Sequence, residues 1–205
     1  MGVKEYKAKR NFTRTQEPAG KVRSPGDGRA ALFVIQKHAA SHLHYDFRLE
    51  MEGVLKSWAV PKGLPVRRGE RRLAVQVEDH PLDYAHFEGT IPPGSYGAGT
   101  VMVWDTGSYE VAGDDPAGAV RKGKIQLTLH GKKLKGDWTL VRMRGGEGEG
   151  KPQWLIFKSG ADLKPLSSRA ENTSVITRRS LEQIASQNGL REDKEVIRET
   201  RKPAS

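Results

Sequence analysis

From Ala30 onward the chain alternates apolar and polar residues in short runs that Gly and Pro interrupt. Such alternation is the mark of half-buried strands separated by turns. It predicts strands at Leu32 to Lys37, His42 to Met51, Leu55 to Val60 and Arg72 to Glu78. Four more follow at Thr100 to Asp105, Ile125 to His130, Leu134 to Arg144 and Trp154 to Lys158. His130-Gly131-Lys132-Lys133 reads as a short hairpin, and Gly145 to Lys151 as a glycine-rich loop. Short strands with almost no helix between them predict a mainly β chain, a compact closed antiparallel β-barrel of about eight strands with minor helix. The one clear helix signal is late. Ser180 and Gln183 form a capping-box pair, Leu181, Ile184 and Ala185 have helical spacing, and Gly189 is the stop.

These boundaries divide the chain into three parts. Residues 1–29 read as an irregular basic arm, 30–160 as the barrel, and 161–205 as an extension with one short helix. From 191 the extension is charged, without an apolar face, and is expected to be a flexible tail. There are no internal repeats. Of 205 residues 36 % are hydrophobic, enough for a modest single core, and no apolar run approaches the ~20 residues of a membrane span. The opening MGVKEYKAKRNF lacks the apolar stretch of a secretory signal, so a cytoplasmic location is expected. With no cysteine, thiolate zinc sites, iron–sulfur clusters and cysteine nucleophiles are excluded. The net charge of +10 points to a polyanionic partner, against the plainer reading of a soluble basic surface. Eight Lys/Arg against three Asp/Glu in residues 1–29 supply half of it.

Alternation gives the second predicted strand two unlike faces. Leu43, Tyr45, Phe47, Leu49 and Met51 form a core face; His42, His44, Asp46, Arg48 and Glu50 form the other. A polar face opposite a core is ordinarily just solvated. Lys, Glu, Thr and Ser build such faces, however, and here three of the chain's six histidines fall within residues 38 to 44. His and Asp two residues apart lie about 7 Å apart at Cα, within reach of a shared ion. His38, arriving from the preceding turn, supplies a third donor. His38, His44 and Asp46 are preferred over His42, and this donor set suits manganese, zinc or iron. Arg48 continues the face with a fork that matches two phosphate oxygens; its ordinary role would be a salt bridge to Glu50 or Asp46.

A second cluster runs from Glu78 to Gly89 after the fourth strand. Its His80 could contact a phosphate oxygen or protonate a leaving group, and its Tyr84 could donate a hydrogen bond. His86 has no comparable support. Gly94-Ser95-Tyr96-Gly97-Ala98-Gly99 superficially suggests a phosphate loop, but no Gly-Lys-Ser/Thr follows, so it reads as a tight turn. Ser41 has no oxyanion-hole pattern to make it a nucleophile.

The blocks QKHAASHLHYDFRLE, SWAVPKGLP and EDHPLDYAHFEGTIPPGSYGAGTV, in that order, resemble the 3′-phosphoesterase domain of bacterial DNA ligase D. The resemblance runs from about Tyr6 to Lys158. It implies a compact barrel and a manganese-dependent 3′-phosphodiesterase/3′-phosphomonoesterase, with Zn2+ or Co2+ as alternative metals. The enzyme would remove a terminal ribonucleoside, then the 3′-phosphate, during double-strand break repair by non-homologous end joining. The matching metal positions are His38, His44 and Asp46. The phosphate-binding and catalytic positions match Arg48, His80 and Tyr84, and secondary substrate-binding positions match Arg10, Glu17, Gln36, Lys62 and Arg72. Asn11 departs from the pattern, which has an acidic residue there, and this puts a role for that position in doubt. The arm of residues 1–29 then helps complete the site. Implied partners are primer–template ends with a 3′-ribonucleotide or 3′-phosphate, the polymerase and ligase modules, and the Ku end-binding protein, in a nucleoid-associated setting without a membrane. No nucleotidyl-lysine motif of a ligase is present. The chain is therefore expected to be a stand-alone member or the excised end of a larger ligase.

Two rivals remain. Two histidines and a carboxylate also describe the triad of a non-haem iron oxygenase, although such triads usually draw one histidine from a distant strand. A non-catalytic nucleic-acid-binding barrel would make the histidines incidental.

Overall fold

The structure is a computed structural model, described for residues 3–20, 30–144 and 150–187. Among the described residues there are nine strands: β1 (Leu32–Ala39), β2 (Leu43–Met51), β3 (Val54–Val60), β4 (Arg71–Pro81), β5 (Gly89–Ile91), β6 (Gly99–Val111), β7 (Lys124–Gly131), β8 (Lys135–Arg142) and β9 (Gln153–Lys158). They pair antiparallel in the order β1-β2-β3-β4-β9-β8-β7-β6, and a β1–β6 pairing closes the ring into an eight-stranded barrel. Closure leaves no free edge in the wall. The short β5 adds to one end of β6 outside the ring. The helices are α1 (Val3–Ala8), α2 (Pro116–Lys122), α3 (Ser168–Glu171) and α4 (Leu181–Gln187), with a 3-10 turn at Leu82–His86.

The expected fold class is therefore the observed one, with local corrections. Residues 3–8 are not irregular: they form α1, with Val3 and Tyr6 buried. Helix α2 went unforeseen although Asp115 caps it by accepting from Gly118 N (2.7 Å) and Gly123 ends it in the left-handed conformation. Helix α4 forms where expected, and its capping box closes both ways. Gln183 Oε1 accepts from Ser180 N (2.8 Å) and Ser180 Oγ from Gln183 N (3.3 Å). The expected stop at Gly189, the tail from 191 and residues 145–149 of the glycine-rich loop lie outside the described residues. Among the described residues no helix is long and apolar enough to cross a membrane.

The barrel wall is buried on both sides around the site. Inside, Phe33, Ile35, Phe47, Leu49, Trp58, Trp138 and Trp154 belong to the main core. Outside, α1, the 3-10 turn and β5 lie over β1, β3, β4 and β6. Their Val3, Tyr6, Tyr84, Phe87 and Ile91 pack with Val34, Leu55, Val101 and Val103 in a second core. The chain approaches closely where Gly20, at φ 65°, passes Pro81; a Cβ there would meet the proline ring at 2.0 Å. This second layer turns one outer patch of the barrel into a buried site.

Candidate metal and phosphate site

The register of β1 and β2 assembles the first half of the site. His38 pairs with His44, Gln36 with Asp46 and Val34 with Arg48. Directly opposed residues on one face have Cβ atoms about 5 Å apart, so the cluster follows from the pairing itself. His38 is thus part of β1 and does not arrive from a turn, because the strand runs two residues beyond the predicted end. His42 is exposed before β2 and contributes only its carbonyl, 3.0 Å from His44 Nδ1.

His38, His44 and Asp46 each bring one donor atom to within 4.8 Å of the others. His38 Nδ1 lies 3.6 Å from Asp46 Oδ2, and His44 Nε2 lies 3.7 Å from Asp46 Oδ1. Burial raises the Asp46 pKa, but Arg48, His38 and His44 overcome this and hold it far below the usual carboxylate range. Burial lowers the pKa of His44. An ionised carboxylate beside a neutral imidazole is the donor state a divalent cation requires. His38 Nε2 is also buried without a hydrogen-bond partner, a costly condition that a bound ion or its water would relieve. The residues therefore fit a metal ion. His44 keeps 23 % of its side chain exposed, against 7 % for His38 and 10 % for Asp46, so the cluster opens to solvent on the His44 side.

Arg48 joins this half to the next. Its Nε donates to Gln36 Oε1 (2.8 Å), its Nη1 to Ser57 Oγ (2.8 Å), and its Nη2 pairs with Asp46 Oδ2 (3.1 Å). Gln36 is itself fixed, because its Nε2 donates to the carbonyls of Tyr84 (3.0 Å) and Phe87 (3.1 Å). The guanidinium therefore has one orientation available.

His80 reaches the same face through a bulge. Leu55 pairs with His80 but Ser57 with Val77, so β4 carries one more residue than β3 across this step. Without that extra residue the alternation would turn His80 into the barrel. The strand end expected at Glu78 is accordingly wrong: β4 continues to Pro81. His80 Nδ1 lies 2.9 Å from Glu78 O and 3.0 Å from Arg48 Nη1, and its Nε2 lies 3.3 Å from Arg10 Nη2. Nδ1 thus faces both a carbonyl, which only accepts, and a guanidinium, which only donates, while Nε2 faces a second guanidinium. Burial, then Arg48 and Arg10, push its pKa well below the usual imidazole range. That shift favours the neutral ring in the free protein.

The N-terminal segment closes the site. Arg10 Nε donates to Glu17 Oε1 (2.8 Å), its Nη1 lies 3.3 Å from Glu78 Oε1, and its guanidinium stands 3.9 Å over the Tyr6 ring. Tyr84 donates from its hydroxyl to Glu17 Oε1 (3.1 Å); burial, then Glu17, raise its pKa, so it stays protonated. Arg10, Glu17 and Gln36 are thus joined to Arg48 and His80. Lys62 and Arg72 are not. They line a cavity of about 210 Å³ at the barrel end with Tyr45, Trp104, Lys133 and Glu171, a lining that includes none of the triad. Arg72 there pairs with Glu70 (2.6 Å) and donates to the carbonyls of Lys62 and Gly63. Asn11 is exposed and accepts from Thr13.

Three participants were not singled out from sequence. Ser57 orients Arg48, the Tyr6 ring packs tilted against His80 at 4.9 Å, and Glu78 gathers Lys9, Arg10 and Tyr96. Ser57 left a trace as the lone hydroxyl between Leu55 and Ala59 on the outer face of its strand, and Glu78 as the first residue of the second ionisable cluster.

A closed β-barrel with a His-His-Asp cluster beside buried arginines has the donor set of a metal-dependent hydrolase of phosphate esters. Residues 36–142 match the DNA Ligase D 3′-phosphoesterase domain, and the chain belongs to that family. It is 50 % identical over 157 residues to the multifunctional non-homologous end joining protein LigD of Pseudomonas aeruginosa, a match covering 76 % of this chain and 18 % of that protein. It is 46 % identical over 155 residues to the multifunctional non-homologous end joining DNA repair protein LigD of Mycobacterium tuberculosis, covering 75 % and 19 %. The LigD protein of Mycolicibacterium smegmatis is 46 % identical over 147 residues, covering 68 % and 19 %. The chain thus spans about a fifth of the length of these relatives.

Proposed function

We propose that this protein heals DNA 3′ ends, removing a terminal ribonucleoside as a phosphodiesterase and then the 3′-phosphate as a phosphomonoesterase. The setting is end joining, with manganese as the metal. The observation that carries the reading is the convergence of the His38–His44–Asp46 cluster and the Arg48–His80 pair on one buried face. Family membership adds the 3′-phosphoesterase chemistry, and the relatives' names add the repair setting. A divalent cation held by His38, His44 and Asp46 supplies charge neutralisation and a water of lowered pKa.

The chain's own groups do the rest. Arg48, held by Gln36, Ser57 and Asp46, presents its fork to the non-bridging phosphate oxygens, whose charge grows in the transition state. His80 stands beside that fork, its Nδ1 3.0 Å from Arg48 Nη1. An anionic phosphate at Arg48 favours uptake of a second proton from solvent by this ring. As a water oxygen bonds to phosphorus and the ester P–O bond breaks, the leaving oxygen takes the ring's extra proton and the water releases one to solvent. Glu17 keeps Arg10 and Tyr84 in place around His80. Lys62 and Arg72 keep the secondary substrate-binding roles that the resemblance implies, at a cavity whose lining includes none of the triad.

The test is incubation with a 5′-labelled primer–template carrying one 3′-ribonucleotide, with and without manganese. A shortened product ending in 3′-phosphate, converted to 3′-hydroxyl only when metal is present, supports the reading. An unchanged primer, or oxygen uptake without phosphate release, refutes it.

A further inference from the structure

Tyr96 is an aromatic side chain that the barrel does not use. The residue is 41 % exposed, in the loop joining β5 to β6. Leu73, Met143 and Ile176 are the other large apolar side chains exposed to this degree among the described residues, so Tyr96 is the one aromatic of the set. Its surroundings are charged. Lys9 Nζ lies 4.9 Å and the Arg10 guanidinium 5.4 Å from the ring centroid. Its hydroxyl donates to Glu78 Oε2 (3.4 Å) and accepts from Lys151 Nζ (3.3 Å). Arg10, which bears on this ring, also touches His80 Nε2. A half-exposed aromatic ring thus stands one side chain away from His80, with Lys9, itself paired with Glu5 and Glu78, and Arg10 over the ring and Lys151 at its hydroxyl.

We infer that Tyr96 is the platform on which the base at the DNA 3′ end stacks, with Lys9 and Lys151 beside the adjoining backbone phosphates. The inference rests on the proposed 3′-end reading and extends it to where the nucleoside lies. Every base has a flat π-face, so stacking holds a strand end without choosing its sequence, and lysines add charge attraction to the backbone. The ring and its cations come from separate segments: the β5–β6 loop, the N-terminal segment and the stretch before β9. A nucleotide held there would bind all three.

The test uses two primer–templates with a 3′-terminal ribonucleotide, one with its terminal base and one with that base removed from the ribose. Tyr96→Ala should raise KM on the intact primer about five- to hundredfold, the range for losing one base–aromatic stack, with kcat little changed. It should have almost no effect on the base-free primer. Tyr96→Phe, which keeps the ring and drops the contacts to Glu78 and Lys151, should restore most of the affinity. Equal losses on both primers, or a Tyr96→Phe defect as deep as that of Tyr96→Ala, overturns the inference. Wild-type protein inert on both primers overturns the end-healing reading instead, and the inference with it.

Discussion

Phe47 and Arg48 are neighbours in β2 and nearly equally buried, at 0 % and 2 % exposure, yet opposite layers bury them. Phe47 points into the barrel, where Phe33 and Trp58 stand 6.5 and 6.3 Å from its ring. Arg48 points outward, into a patch that α1, the 3-10 turn and the residues up to Gly20 cover. The inner layer is held mainly by apolar contact, and the few cations it buries, such as Lys37 and Lys158, keep polar partners. The outer layer buries guanidinium, carboxylate and imidazole together and must give each polar group a partner. The contrast separates what maintains the barrel from what equips it chemically.

The two faces of β2 should fail differently. Asp46→Ala should lower metal affinity by more than about a hundredfold and abolish metal-dependent hydrolysis while the barrel stays folded, since the anionic donor is gone and its neighbours remain. Phe47→Ala should cost about 3–5 kcal/mol of stability through the cavity it leaves, yet keep the donor set. Metal titration and urea unfolding of both variants check this crossing. A metal-binding Asp46→Ala would detach the outer face from metal chemistry.

The outer cover should detach on its own. Arg10→Met leaves Glu17 and Glu78 buried without the guanidinium between them, a cost of about 3 kcal/mol or more. The expected result is release of residues 3–20 from the barrel, read as faster amide exchange in α1 with β7 and β8 still protected. Uniform loss of protection would mean that the cover and barrel fold as one unit.

A smaller effect concerns pH. His80 has a folded-state pKa pushed well below 6.5, whereas in the unfolded chain it titrates near that value. As pH falls through about 6.5 the unfolded chain takes up a proton the folded one refuses, so stability drops below that pH and is full above it. Metal-free wild-type protein should therefore lose more stability between pH 7.5 and 5.5 than His80→Gln does. Equal slopes in the two urea series would place the burial cost of this ring elsewhere.

The sequence exposed one side of this comparison far better than the other. The inner face of β2 was legible because alternation over Leu43 to Met51 has a single solution, and the His44–Asp46 spacing was legible for the same reason. The position of His80 was not, because a one-residue bulge in β4 reverses the facing of everything after it and leaves no mark on the alternation. The closure over Arg48 was equally hidden. Tyr6, Arg10 and Glu17 lie far upstream of the strands they cover, and α1 is too short to be held by its own propensity. The resemblance to the ligase D domain brought Arg10, Glu17 and Gln36 into view where local pattern was silent. Helix α2, by contrast, carries its own marks in the sequence: Asp115 as cap, Pro116 in the first turn and Gly123 as the stop.

The account divides the outer face into a metal-holding half around Asp46 and a phosphate-facing half around His80. A manganese titration of His80→Ala beside Asp46→Ala, followed by the spectroscopic signal of free Mn2+, tests that division most directly. The predicted result is near-wild-type manganese binding by His80→Ala, with hydrolysis two to three decades slower, a loss of about 3–4 kcal/mol of transition-state stabilisation, and almost no binding by Asp46→Ala. His80→Ala losing manganese as completely as Asp46→Ala would contradict the account and make His80 a metal ligand.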